Sequence, residues 1–171
     1  MTREAKPDPS EHSRWRPLRL LLAAMDGEID RVHADGEIGG IKSAWVMELL
    51  RLDAHGPMTI SELAQSTQRT HSAMSQKVAA MRTAGLVRTT TGADARSRKV
   101  TLSPKARPLV DQLGAEWRAT EAAISEIEAE IPYPLSRTVA DIEEALQRRS
   151  FYDRISEKLA EDPAWKQRPG T

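Results

Sequence analysis

Between Thr59 and Arg107 the chain sets two short helix signals ahead of a β-hairpin signal and crowds positive charge onto the second helix and the hairpin. From Arg69 to Arg107 there are nine Lys or Arg residues against one acid, Asp94. The whole chain holds 25 basic and 25 acidic residues, so the remainder keeps 16 and 24, a net of −8 against +8 here. A formally neutral protein is therefore strongly polarised, as expected when one surface meets phosphates.

Thr59 followed three residues later by Glu62 is a capping-box pattern, in which the two residues satisfy each other's orphan backbone donors. A helix is predicted to start there, with Ile60, Leu63 and Ala64 on one face. Gln68 and Arg69 supply a turn before Thr70, a second N-cap. The next helix runs to about Ala84 and buries Met74, Val78 and Met81, spaced i, i+4, i+7. Its opposite face carries Ser72, Gln76, Ala79 and Thr83, flanked by Ser75 and Arg69, with His71 near the start. That face has no bulky apolar side chain; small hydroxyls and an amide that can pair with adenine suit a helix in a major groove. Gly85 ends the helix, Leu86 to Thr91 reads as a β-branched strand, residues 92–95 as the turn and Arg98 to Leu102 as the return strand. Ser103 and Pro104 then open a further helix as N-cap and first helical residue. The fold class is mainly α with a small β-hairpin wing, a winged helix-turn-helix.

Gly85-Leu86-Val87, the run from Asp94 through Ala95-Arg96-Ser97-Arg98-Lys99-Val100-Thr101-Leu102 to Ser103, and the helix after it resemble the wing signature of the MarR (multiple antibiotic resistance regulator) family of bacterial transcription factors. The resemblance covers about a hundred residues, from the Ile41 helix into the first half of the Pro104 helix. Met81 stands where leucine is usual, and the segment beyond residue 150 has no assigned counterpart. The resemblance implies a homodimeric repressor on a pseudo-palindromic operator in double-stranded DNA. It also implies that Arg96 enters the minor groove, oriented by Asp94. Thr70, His71, Ser72, Ser75 and Gln76 are then expected at base edges and nearby phosphates, with Arg69, Lys77, Arg88, Arg98 and Lys99 at the backbone. The competing reading is a winged-helix dimer that docks a protein and does not bind DNA.

Outside this unit the apolar pattern changes period. Residues 1–13 are polar and proline-containing, a disordered arm. Residues 14–35 form an N-terminal dimerisation helix with Trp15, Leu18, Leu22, Met25, Ile29 and Val32 on a heptad seam. Glycines 36, 39 and 40 break it before a helix of about Ile41 to Ala54 that opens the DNA-binding domain, residues 41–103. Residues 104–160 form C-terminal dimerisation helices, one seam running Val110, Leu113, Trp117, Thr120, Ile124, Ile127, Ile131 and another Leu135, Val139, Ile142, Leu146. Phe151, Ile155 and Leu159 suggest a short helix, and residues 161–171 a flexible tail. Three such seams exceed what a small winged domain can cover, so a second copy of the chain is expected to cover them.

Cysteine is absent, which removes disulfides and thiolate metal sites and fits a reducing cytoplasm. The four histidines form no metal-ligand run, and no phosphate-loop, dinucleotide or nucleophile-elbow pattern occurs, so neither a cofactor nor catalysis is expected. No apolar run reaches membrane-spanning length. The family resemblance further implies a small aromatic or anionic effector in a cleft near the dimer arms. Met25, His33, Trp45 and Trp117 are the candidates to line it, against the plainer account that they only pack the core.

Overall fold

The computed structural model describes residues 8–36, 38, 40–91 and 98–166. After a 3-10 turn at Pro9–His12 come α1 (Arg16–Asp35), α2 (Ser43–His55), β1 (Met58–Thr59), α3 (Ile60–Ser66), α4 (His71–Thr83), β2 (Val87–Thr91) and β3 (Arg98–Leu102). A second 3-10 turn, Arg107–Leu109, leads to α5 (Val110–Glu130), α6 (Leu135–Arg148), α7 (Phe151–Glu161) and α8 (Pro163–Lys166). Two compact units are distinguished, Met1–Thr120 and Glu121–Thr171. The sheet is antiparallel with order β1-β3-β2, Met58 facing Val100 and Val87 facing Leu102. The chain is mainly α with a small sheet, the expected winged helix.

Local chemistry accounts for most of the boundaries. The Thr59 hydroxyl accepts from the Glu62 amide at 3.1 Å while the Glu62 carboxylate accepts from the Thr59 amide at 2.7 Å, so the capping box is complete. Thr70 caps α4 by accepting from the Ala73 amide. Between them Gln68 takes φ 52°, a left-handed conformation that a β-carbon disfavours. At the far end of α4, Gly85 has φ 74°, its amide donates to the Arg82 carbonyl and the Leu86 amide to the Met81 carbonyl, both at 2.9 Å. This is a Schellman motif, closed by the buried pair Met81 and Leu86.

Four details depart from expectation. The two-residue strand β1 is too short to leave an alternating pattern, and its pairing with β3 exists only once the hairpin has formed. Ser103 caps a turn, not the long helix: its hydroxyl donates to the Gly85 carbonyl at 2.7 Å and accepts from the Ala106 amide. Pro108 has no amide to continue an α-helical ladder, which places the start of α5 at Val110. Residues 8–13, expected within a disordered arm, contain a 3-10 turn capped by Asp8, and α8 occupies part of the expected tail.

The core of the first unit gathers Leu49, Leu63, Met74, Met81, Leu86, Val100 and Leu113, with Trp45 and Leu52 beside them. One buried histidine ties its helices together. His33 of α1 donates from Nδ1 to the Ile41 carbonyl at 2.8 Å, and its Nε2 lies 3.3 Å from the Glu116 carboxylate on α5. In the second unit Ser136 donates twice to Glu128, at 2.6 Å each, joining the end of α5 to the start of α6. Those two bonds hold the Glu128 carboxyl below the usual carboxylate range. The expected seams bury only in part: Val110 and Leu113 are core, while Trp15, Leu22, Val32, Ile127, Ile131, Val139, Leu146, Phe151 and Ile155 stay exposed in the single chain. No described helix is long and apolar enough to cross a membrane.

Thr59→Ala should lower the unfolding free energy in denaturant titrations by about 1 kcal/mol. Bonds from the Thr59 amide and hydroxyl, with a smaller attraction from Lys99, hold the Glu62 carboxyl below its ordinary range. A carboxyl depressed in the folded state adds stability above its unfolded range and loses it as pH falls through the folded value. The stability gap between the parent and Glu62→Gln should therefore be full at neutral pH and close in acid. Gln68→Gly should raise stability by up to about 1 kcal/mol by relieving the left-handed turn, read as a higher Tm.

Candidate nucleic-acid interface

Burial of Met74, Val78 and Met81 fixes which side of α4 faces out. Ser72, Gln76, Ala79 and Thr83 are all exposed, as are Thr70 and His71 at the helix start, and Ser75 is half-buried at the edge. The Thr83 hydroxyl donates to the Ala79 carbonyl of its own helix at 3.1 Å. Among the described residues the side chains of Ser72, Ser75 and Gln76 have no hydrogen-bond partner, so their donors and acceptors are available to a ligand. Among Ser72, Gln76, Ala79 and Thr83 the Gln76 side chain is the largest, so the face admits a duplex edge.

Beside α4 the sheet supplies cations. Arg88 on β2 and Arg98 on β3 are exposed, and Lys99 is half-buried, close enough to Glu62 to draw its carboxyl downward. Ser75, Ala79 and Arg82 of α4 and Thr89, Arg98 and Val100 of the sheet line a groove between helix and hairpin. Arg82, absent from the expected contact set, shares its rim with Arg98. Its place in the basic run from Arg69 to Arg107 was the available signal. The hairpin tip, with Asp94 and Arg96, lies outside the described residues.

One expected backbone contact is turned inward. Lys77 is only 14% exposed, and its ammonium donates to the Ala44 carbonyl at 2.6 Å and to Glu48 Oε1 at 2.8 Å, both on α2. Arg69, half exposed, brings Nε to 3.8 Å from the same oxygen. Glu48 itself is fully buried, and its Oε2 has no partner among the described residues. A buried carboxylate needs a cation, and Lys77, at 2.8 Å against 3.8 Å for Arg69, is the nearer of the two, which is why it does not face outward with Gln76. Glu48 was missed in the sequence, although it stands within the apolar stripe Ile41, Trp45, Leu49 and Leu52.

Residues 40–97 match the sequence model of the MarR family. The match spans about a third of the chain and shows what the winged unit is similar to. Similar solved structures include S. aureus MepR in a DNA complex, 16% identical, TM-score 0.59, covering 80% of this chain and 97% of that one. M. tuberculosis MosR in complex with DNA is 24% identical with TM-score 0.59, covering 80% and 98%. Bordetella bronchiseptica BpsR, from work on regulation of its DNA binding by 6-hydroxynicotinic acid, is 18% identical with TM-score 0.55, covering 85% and 99%. At these identities the likeness establishes the fold. No curated protein matches the chain.

The expected effector residues take different places in the fold. Trp45 belongs to the core, and His33 uses Nδ1 on the Ile41 carbonyl, while its buried Nε2, 3.3 Å from Glu116, has no hydrogen-bond partner among the described residues. Met25 is half-buried on α1. Trp117 borders an open groove, with Met47, Leu50, Arg51 and Ala54, where an apolar floor meets one guanidinium. Among the described residues no cluster of His, Asp and Glu could hold a metal ion.

Proposed function

We propose that the chain is a sequence-specific regulator of transcription that acts as a homodimer on a pseudo-palindromic operator and represses from it. The observation that carries this reading is the outward face of α4, small and polar with unpartnered Ser72 and Gln76, set beside Arg82, Arg88 and Arg98. In the proposed complex Thr70, His71, Ser72, Ser75 and Gln76 meet base edges and adjacent phosphates. Arg69, Arg88, Arg98 and Lys99 meet the backbone, and Arg96, oriented by Asp94, enters the minor groove. MepR and MosR have each been solved with DNA, which supports the assignment.

Homodimer formation is supported by the apolar surface that one chain leaves open. Trp15 at the N-cap of α1, Leu20, Leu21 and Leu22 on α1, and Phe151 and Ile155 on α7 are large exposed apolar side chains of helices with heptad spacing. A second copy supplies matching seams, and a twofold dimer matches the symmetry of a pseudo-palindrome. Release by a small aromatic or anionic effector is part of the same proposal. The groove beside Trp117, with Arg51 to meet a carboxylate, is the candidate contact, and the regulation of BpsR by 6-hydroxynicotinic acid gives a parallel.

Selection from a random duplex pool should recover a palindromic sequence; a pool that stays random would overturn the reading. Affinity for the recovered duplex should fall with log salt at a slope of about −0.9 per neutralised phosphate, whereas docking of a protein through an apolar patch would be nearly flat. Gln76→Ala should cost about 1 to 3 kcal/mol of discrimination at one base position, and Arg96→Ala should weaken binding strongly with the dimer intact. Leu22→Glu, on a side chain exposed in the single chain, should shift sedimentation from dimer to monomer without loss of helical signal.

A further inference from the structure

Lys77 breaks the polarity of α4. It lies within the basic stretch yet donates its ammonium to the protein, to a carbonyl and a carboxylate one turn apart on α2. Glu48 receives this lysine two turns into α4 and the Arg69 guanidinium just before its cap. One buried oxygen, Glu48 Oε1, therefore holds α4 at Lys77 and the turn that leads into it at Arg69.

The apolar packing beneath α4 is poorly suited to that task. Two of its three buried stripe residues are Met74 and Met81, whose unbranched side chains adapt to a helix that turns or slides. Hydrogen bonds to an ammonium are directional where such packing is not. A buried ion pair of this kind is weak as a source of stability, and its best-attested use is fixing register between elements. The second oxygen of Glu48 has no partner among the described residues, which leaves Lys77 and the longer Arg69 approach as its counter-charges.

We propose that Glu48 is a positioning residue for DNA recognition: through Lys77 and Arg69 it sets the rotation and depth of α4, and Lys77 itself touches no phosphate. The inference rests on reading α4 as the helix that enters the groove. A shift of α4 about its axis moves Ser72 and Gln76 relative to the bases but leaves the cations of the sheet in place. Sequence preference is therefore what Glu48 protects, more than affinity for duplexes in general.

The test compares the parent, Glu48→Gln, Lys77→Met and the combined Glu48→Gln/Lys77→Met protein on the duplex recovered by selection and on a scrambled duplex of equal length. Arg88→Ala is the reference for a lost phosphate contact. Each single variant is expected to lose about tenfold on the recovered duplex and little on the scrambled one, and the pair together should lose no more than the worse single. The salt slope should stay at the parent's value for Lys77→Met and become shallower by about one for Arg88→Ala. A shallower slope in Lys77→Met, an equal loss on both duplexes, or folded variants with the parent's preference would each overturn the proposal. If Glu48→Gln does not fold, Glu48→Leu/Lys77→Met removes both charges together, and retention of the parent's preference there overturns it equally. A parent that shows no salt-dependent binding to any duplex overturns the DNA reading itself, an outcome distinct from the others.

Discussion

A single helix has to satisfy two environments at once, and the arrangement of the first unit follows from that demand. The inner side of α4 presents Met74, Val78 and Met81 to the core, and its outer side presents Ser72, Gln76 and Ala79 to solvent. Such a helix cannot rotate by a third of a turn without burying hydroxyls and exposing methionines. Thr70 at its start and the Gly85 turn at its end set its length. Leu86, buried against Met81, leads directly into β2, so the helix terminus also sets where the hairpin begins. The position of the sheet beside the helix is inherited from one left-handed glycine.

Electrostatics divides into two kinds of charge. Arg82, Arg88 and Arg98 are exposed and hydrated, and their attraction for a polyanion is screened by salt. Lys77 and Glu48 are shielded and meet each other at 2.8 Å, where neither screening nor solvent competes well. Counting both kinds together makes the basic stretch look uniform, and the structure separates exposed cations from one held by a buried carboxylate. Pairs of the first kind contribute little to folding. Breaking a pair of the second kind by removing one partner leaves an uncompensated buried charge.

The helices that flank the winged unit have the opposite imbalance, with more apolar surface than one chain covers. Trp15 at the N-cap of α1 and Leu20, Leu21 and Leu22 on it are exposed, and α6 and α7 keep Val139, Leu146, Phe151 and Ile155 open. His33 shows that α1 is nonetheless anchored, through Ile41 and Glu116, to the core of the first unit. A rigid amphipathic arm on a small domain is a suitable carrier for the symmetric assembly proposed above.

The residues of the winged unit were legible in the sequence because each rests on local chemistry. The Thr59–Glu62 box, the Thr70 cap, the Gly85 stop and the spacing of Met74, Val78 and Met81 involve partners within a few residues, so a pattern of letters records them. Charge polarity was equally readable, since it is a count. What the letters did not carry was every feature whose partner lies far along the chain. The strand β1 exists only by pairing with β3 some forty residues later, and Ser103 spends its hydroxyl on Gly85 in place of capping a long helix. The inward turn of Lys77 depends on Glu48, on another helix. Sequence by itself determined the elements, their order and the face that α4 exposes, because periodicity and capping are short-range. Tertiary structure alone decided which cations are free to meet a polyanion and which are held by the protein, because a buried carboxylate takes whichever cation the fold brings within reach.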